Sequence, residues 1–351
     1  MTCPNRLRLV GIRLALGLGV ALAAASPILA QPFGAYMALT GASGYVEVPD
    51  SPALNPTSAF TFEAWVSVTD AFGGTGCSSI AGKNWQQAWW VGICGTTLRS
   101  YLKGSTSVRD GGTLDGNLNH IAVVFDGTNR YHYINGEIVG TFPETGPLTT
   151  SASAMRIGSD VSWEHTPAGV IDEVRLWNVA RTTDQIRSTI NVPLSAATPG
   201  LVSVWSLDGS GNDALGGHSG TKTGAGGFLN LPVAASCAPT VTSLCFEGRF
   251  AVSASWLTST GATGVGTVVP GASSNSGLFW FFSSDNWELL VKELNGCGLN
   301  SRRWLFSAAT TNVHYRLTVL DITHGVQKIY FNYQGVSAPA VTDVLAFATC
   351  P

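Results

Sequence analysis

The sequence predicts an all-β protein, a two-sheet jelly-roll sandwich followed by a smaller disulfide-stabilised β domain. Three observations carry this. Between Tyr45 and Trp177, apolar residues recur at every second position in short runs, the period of a strand with one buried face. Asn135-Gly136 separates two of these runs and is the strongest short hairpin signal in the chain. Among 351 residues there are 41 glycines and 11 tryptophans, while 12% are charged, a balance that suits short strands and tight turns and argues against disorder.

Taken in order, residues 1–30 read as a signal peptide. Arg6, Arg8 and Arg13 lead an apolar run over residues 14–25, and Ala23-Ala24-Ala25 or Ala30 before Gln31 supplies the small residues of a cleavage site. The apolar core is short for a span, which needs roughly 20 residues. Its removal takes away three arginines and leaves 16 basic against 22 acidic residues, a net charge of −6. That balance disfavours nucleic acid and anionic membranes as partners, and no membrane span remains after cleavage. Six cysteines are left, Cys77, Cys94, Cys237, Cys245, Cys297 and Cys350. An even number in an exported chain implies disulfides and a secreted, periplasmic or extracellular location. Their spacing lacks the Cys-x2-Cys pairs of a zinc site.

Residues 31–230 form the first domain. A strand over 45–48 ends at Pro49. Residues 60–68 alternate, with Phe60, Phe62, Ala64, Val66 and Val68 on one face and Thr61, Glu63, Trp65 and Ser67 on the other. Cys77 and Cys94 flank the runs 79–82 and 89–93, which read as neighbouring strands pinned by a bridge. Strands over 120–126 and 130–134 are joined by Gly127-Thr128-Asn129, and 137–141 returns after Asn135-Gly136. Residues 182–190 are the one helix, with Thr182 or Thr183 as N-cap and Asp184 in its first turn. Residues 231–236 read as a linker and 237–351 as a cysteine-framed β-sandwich. Its four cysteines allow three pairings, of which Cys237 with Cys350 would join the ends. The run Phe279-Trp280-Phe281-Phe282, with Trp287 after it, reads as a central strand serving both its faces.

The order of Tyr45-Val46-Glu47-Val48-Pro49-Asp50, the strand 60–66, His120 to Gly127, Tyr133-Ile134-Asn135-Gly136, Met155-Arg156-Ile157-Gly158 and Ile171-Asp172-Glu173-Val174-Arg175-Leu176-Trp177 resembles the laminin-G-like, concanavalin A-like jelly roll over residues 35–205. The C-terminal part resembles an uncharacterised cysteine-framed β domain of secreted bacterial proteins. The first resemblance implies a non-catalytic binding protein whose ligand is a carbohydrate. A structural or adhesive protein that binds another extracellular protein is the alternative, and a glycoside hydrolase stands third. The hydrolases of this superfamily that resemble β-glucanases carry Glu-x-Asp-x-x-Glu on one strand, and no such run occurs here. Asp172 and Glu173 are adjacent, so on a regular strand they face opposite ways, whereas sugar hydrolysis needs two carboxyls on one groove. The resemblance also implies one structural calcium ion held by Asp172, with backbone carbonyls near residues 41–44 as further ligands. For sugar, the candidates are the rings of Trp85, Trp89 and Trp163, with Glu164 and His165 beside the last, because aromatic faces stack on pyranose rings and polar side chains bind hydroxyls. Trp90 belongs to the same cluster. The sequence 208–213, Asp-Gly-Ser-Gly-Asn-Asp, reads as a loop of Asx turns.

Overall fold

The computed structural model describes residues 34–69, 76–162, 165–194 and 198–351. The predicted leader, Trp163 and Glu164 lie outside the described residues.

The first domain is a sandwich of two antiparallel sheets. The larger runs, strand by strand, through Glu137–Pro143, Asn129–Ile134, Asn119–Phe125, Phe60–Thr69, Ala168–Trp177, Tyr36–Thr40 and Gly227–Leu229, and Leu201–Trp205 also pairs with Ala168–Trp177. The smaller runs through Thr221–Gly224, Gly44–Val48, Met155–Ile157, Cys77–Gly82, Trp90–Cys94, Thr97–Tyr101 and Arg109–Thr113. Alternation builds the core as expected. Phe60, Phe62, Ala64, Val66 and Val68 point inward against Val46, Val48, Val91 and Ile93. The Asn135-Gly136 turn has positive φ at both residues, 53° and 79°, the conformation a two-residue hairpin loop requires.

The outward residues of strand Phe60–Thr69 are not solvated. Thr61, Glu63 and Trp65 are fully buried beneath the helix Thr183–Thr189 and the second domain. The helix starts on a capping box in which Thr182 and Gln185 bond reciprocally. It seats Ile186 on Ala122, Val124 and Tyr133. Trp65, Val170 and Ile190 form a cluster with Ile329 of the second domain, and the indole of Trp65 lies over Phe331 at 6.3 Å and 19°.

The second domain packs two five-stranded sheets around Phe246, Phe250, Phe279, Leu289, Leu317 and Phe347. One contains Ser243–Phe246, Phe250–Leu257, His314–Asp321 and Val326–Asn332, with Thr263–Val265 added. The other contains Thr267–Val268, Ser276–Ser283, Asn286–Asn295, Arg303–Ala309 and Val341–Phe347. The segment expected to be a linker is docked: Leu231 is 3% exposed and the Ala234 amide donates to the Ile322 carbonyl at 2.8 Å.

Two expectations are corrected here. Cys77 pairs with Cys94 as expected, but Cys237 pairs with Cys245 and Cys297 with Cys350. The Cys237 amide is bonded to the Gly248 carbonyl, which holds it beside the turn after strand Ser243–Phe246. Cys350 instead follows strand Val341–Phe347 to the short helix Cys297–Asn300. The aromatic run 279–282 does not bury both faces of its strand. Phe279 and Phe281 enter the core, whereas Phe282 and Trp287 are half exposed, at 50% and 52%. Period two divides the run between the core and the outer surface of the sheet.

Candidate functional site

The helix and the second domain cover the larger sheet, and they leave the outer face of the smaller one open. Its register places Tyr45 and Glu47 beside Arg156, then Ser79, then Trp90 and Gly92, then Tyr101 and Arg99, then Asp110. Each is the outward neighbour of a core residue, such as Val46, Met155, Ile80, Val91 or Leu98. The face thus alternates rings with charged groups. The Arg156 guanidinium lies 4.0 Å from the Tyr45 ring centre and bonds Glu47 at 2.9 Å. Arg99 grips Asp110 through two bonds of 2.6 and 2.7 Å, the fork geometry that fixes a guanidinium in place.

The aromatic end of the face is built on Gly92. A Cβ there would lie 2.3 Å from the Trp90 indole, so only glycine lets that ring lie flat on the sheet. The Trp90 Nε1–H donates to Ser79 Oγ at 2.7 Å. Tyr101 stands edge-on to Trp90 at 5.6 Å, and Trp85 packs on Tyr101 at 5.5 Å. Trp85 is held by Asp160, whose carboxylate accepts the amides of Asn84, Trp85 and Ser162. Burial raises the Asp160 carboxyl above its ordinary value, and these amides offset part of the effect. Lys83, fully buried, ties the same turn to Asp50 and the Ser153 carbonyl.

The sequence-predicted residues divide as follows. Trp85 is half-buried on this face. His165 is half-buried at its edge, and its carbonyl accepts the Ser79 amide at 2.8 Å. Trp89 is not a surface ring. It is 2% exposed, packs on Phe60 and Phe62 and donates its Nε1–H to the Leu54 carbonyl at 3.3 Å. The neighbour Trp90 takes the outer face instead, although it too is 2% exposed and serves as floor rather than rim. Trp163 and Glu164 fall outside the described residues. Tyr45, Arg99, Tyr101 and Arg156 were not singled out in the sequence, although their outward alternation with Val46, Leu98 and Met155 is a period-two signal.

Asp172 is 1% exposed, and neither of its oxygens makes a hydrogen bond of normal geometry among the described residues. Burial, then the nearby charges of Glu173 and Asp208, raise its carboxyl well above the ordinary range. The strand bulges here, with a register break between Asp172 and Arg175 and φ of 49° at Glu173. Strict alternation therefore does not separate the two acids, contrary to the expectation. Burial keeps them from a substrate, for Glu173 is 3% exposed and bonds Arg175 at 3.0 Å. The carbonyls expected near residues 41–44 are elsewhere. Strand Tyr36–Thr40 pairs Met37 with Ile171 and runs away from Asp172, which carries Gly41 to the Pro167 carbonyl. The described residues hold no group of three His, Cys, Asp or Glu side chains arranged for a metal.

The geometry defines the class: a two-sheet jelly-roll sandwich with one outer face covered and one presenting rings and charges. Residues 40–187 match the laminin-G-type family model of the Concanavalin A-like lectin/glucanases superfamily. No curated protein matches the chain. Among solved structures, a candidate carbohydrate-binding protein of Bacteroides ovatus is 23% identical over 57% of this chain and 60% of its own, with a TM-score of 0.48. Domain 4 of an extracellular GH43 arabinanase of Geobacillus stearothermophilus, in complex with arabinotriose, is 23% identical over 43% of this chain and 74% of its own, with a TM-score of 0.35. The CBM40 of a Ruminococcus gnavus IT-sialidase is 12% identical over 43% and 93%, with a TM-score of 0.34. The chain spans less than two thirds of the Bacteroides protein, and at these scores the likeness carries no functional argument.

Proposed function

We propose that this chain is a non-catalytic binding protein that acts outside the cytoplasm and takes carbohydrate on the outer face of its seven-stranded sheet. The observation that carries the reading is the row of Tyr45, Tyr101 and Trp85 interleaved with Arg156 and Arg99 on the one sandwich face that the helix and the second domain leave uncovered. Ring faces take the C–H surfaces of a pyranose, and the fixed guanidinium and carboxylate groups take its hydroxyls. The match of residues 40–187 to a lectin and glucanase superfamily supports the same class of ligand. Three disulfides suit an oxidising compartment. Loss of one stacked ring is expected to weaken binding about tenfold, the equivalent of about 1.4 kcal/mol. Titration of the intact chain with an oligosaccharide panel checks this: Tyr101→Ala and Trp85→Ala should each lose that factor while Trp287→Ala keeps full affinity. Undiminished affinity in both ring variants rejects the site. The protein-binding alternative rests on the half-exposed Phe282 and Trp287 of the second domain. A chain that binds no glycan but self-associates through those two rings would replace the sugar reading.

Asp172, with two oxygens unbonded and Asp208 adding like charge, is the residue on which a structural calcium would rest. Its melting temperature is the readout. If calcium binds there, the ion raises the melting temperature of the wild type above its value in chelator and leaves Asp172→Asn unmoved. Equal melting of the wild type in both rejects calcium.

A further inference from the structure

The two domains touch at Trp65, Val170, Ile190, Ile329 and Phe331 and part beside that contact. Strand register sets what lines the gap. Ser253 pairs with Thr318, Ser255 with Arg316, Thr318 with Ile329 and Arg316 with Phe331. Gln327 shares the parity of Ile329 and Phe331. Period two therefore turns Ser253, Ser255, Arg316, Thr318 and Gln327 toward the first domain, which contributes Asp115 and Asn117 opposite them. The result is a cleft of about 540 Å³. It sits beside a second hollow of about 440 Å³ that shares Arg316, Ser255 and Asp115 with it. Sites for small ligands commonly lie at domain interfaces and enclose about 300–1,000 Å³.

Two polar groups in this cleft lack a hydrogen-bond partner among the described residues, although the Arg316 guanidinium also lies 5.7 Å from the Phe331 ring centre. The Arg316 side chain is 12% exposed, and its nearest carboxylate oxygen, on Asp115, is 3.9 Å away, beyond hydrogen-bond range. Among the described residues it makes no hydrogen bond. Asp115 is already engaged, accepting bonds from the Asn117 amide and from the Asn117 and Asn119 side chains. Burial pushes the guanidinium down to about 10, with Asp115 offsetting only part of that effect. Gln327 is 4% exposed, and its Oε1 is buried with no donor among the described residues. Buried polar groups are almost always satisfied, by protein, by water or by a ligand.

The unmet demands differ and complement each other. A guanidinium fork matches a planar carboxylate. A carboxamide oxygen needs an O–H or N–H. The hydroxyls of Ser253, Ser255 and Thr318 accept and donate freely, and Asp115 at the same place opposes any ligand with more than one negative charge. We propose that this interdomain cleft is a second binding site that takes a hydroxylated monocarboxylate of the hexuronic-acid class, with its carboxylate on Arg316 and a hydroxyl on Gln327 Oε1.

Calorimetric titration of the intact chain with sodium D-glucuronate, sodium acetate and D-glucose tests it. Glucuronate is expected to bind, with acetate and glucose at least about tenfold weaker, since each meets only half of the demand. Arg316→Gln should lower glucuronate affinity about tenfold or more, and Ser253→Trp, a change at an exposed position, should block the cleft. Tyr101→Ala should leave glucuronate binding intact. Absence of glucuronate binding at millimolar concentration overturns the proposal. Undiminished binding in Ser253→Trp also overturns it and does not depend on how well the Arg316 variant folds. Loss of glucuronate binding in Tyr101→Ala would place the acid on the sheet face and overturn it as well.

Discussion

Replacing Glu63 with Gln is expected to destabilise the fold by about 3–5 kcal/mol, the cost of removing one partner from a buried ion cluster. Glu63 is fully buried in the central strand Phe60–Thr69. It meets Arg181 Nη1 at 2.5 Å, His120 Nε2 at 3.2 Å and Arg175 Nη1 at 3.9 Å. Arg181 in turn lies over the Trp177 ring at 4.1 Å and bonds the Gln185 carbonyl of the helix. The carboxylate therefore ties the sheet to its covering helix, which abuts the second domain through Asn191 and the Lys328 ammonium. Gln preserves the volume, leaves Arg181 buried without its counter-charge and leaves Arg175 with Glu173 alone. Since domains are stable by only about 5–15 kcal/mol, a urea melt at neutral pH reads the change directly. A loss below about 1 kcal/mol would mean that the cluster contributes little.

The second large effect is acid instability with three separate origins. Burial depresses the His132 imidazole from 6.5 to about 4, and the Arg130 charge adds to this while the Gly111 carbonyl opposes it. A depressed folded value means that the unfolded chain takes up the proton first. The contribution of neutral His132 is complete above 6.5 and is lost as pH falls toward 4, about 3 kcal/mol in all at about 1.4 kcal/mol per unit. Glu63 behaves likewise at lower pH. Burial raises its carboxyl, but His120, Arg181 and Arg175 outweigh burial and hold it at about 2, so its contribution is lost between 4.5 and 2. Asp321, paired with Arg249 at 2.5 Å and likewise held at about 2, is lost between 3.8 and 2. Asp172 works with the opposite sign. Its raised carboxyl penalises the fold in full above the folded value, and the penalty is relieved as pH falls below that value toward 3.8. The contributions separate by difference. The stability gap between wild type and His132→Asn should narrow from pH 7 to pH 4, whereas the gap to Glu63→Gln should hold down to about 4.5 and close only below it. Parallel pH profiles for wild type and His132→Asn would contradict the assignment.

How far the sequence reached follows from what alternation encodes. Period two in residues 60–68 and the Asn135-Gly136 turn specify strand, register and hairpin, and the structure follows them. Alternation states that a strand has two faces and is silent on what covers each. The Thr61, Glu63 and Trp65 face gives no sign in the sequence that a helix and a second domain lie over it. The same silence hid the outer face of the smaller sheet, where Tyr45, Arg99, Tyr101 and Arg156 read as ordinary surface partners of core residues. Trp89 and Trp90 are adjacent, so one had to face inward. The choice depended on the turn that Lys83 and Asp160 anchor, a long-range arrangement. The cysteine pairing within 237–351 was open for the same reason, because spacing does not report which strand ends converge.

The proposed function places sugar on the outer face of the seven-stranded sheet. Chemical-shift mapping of the intact chain, with side-chain signals of Tyr45, Tyr101, Trp85 and Arg156 assigned and a bound oligosaccharide titrated in, tests it most directly. The largest shifts are expected on those four residues, with the Phe282 and Trp287 signals unmoved. Shifts confined to the second domain, with those four signals unchanged, would contradict it.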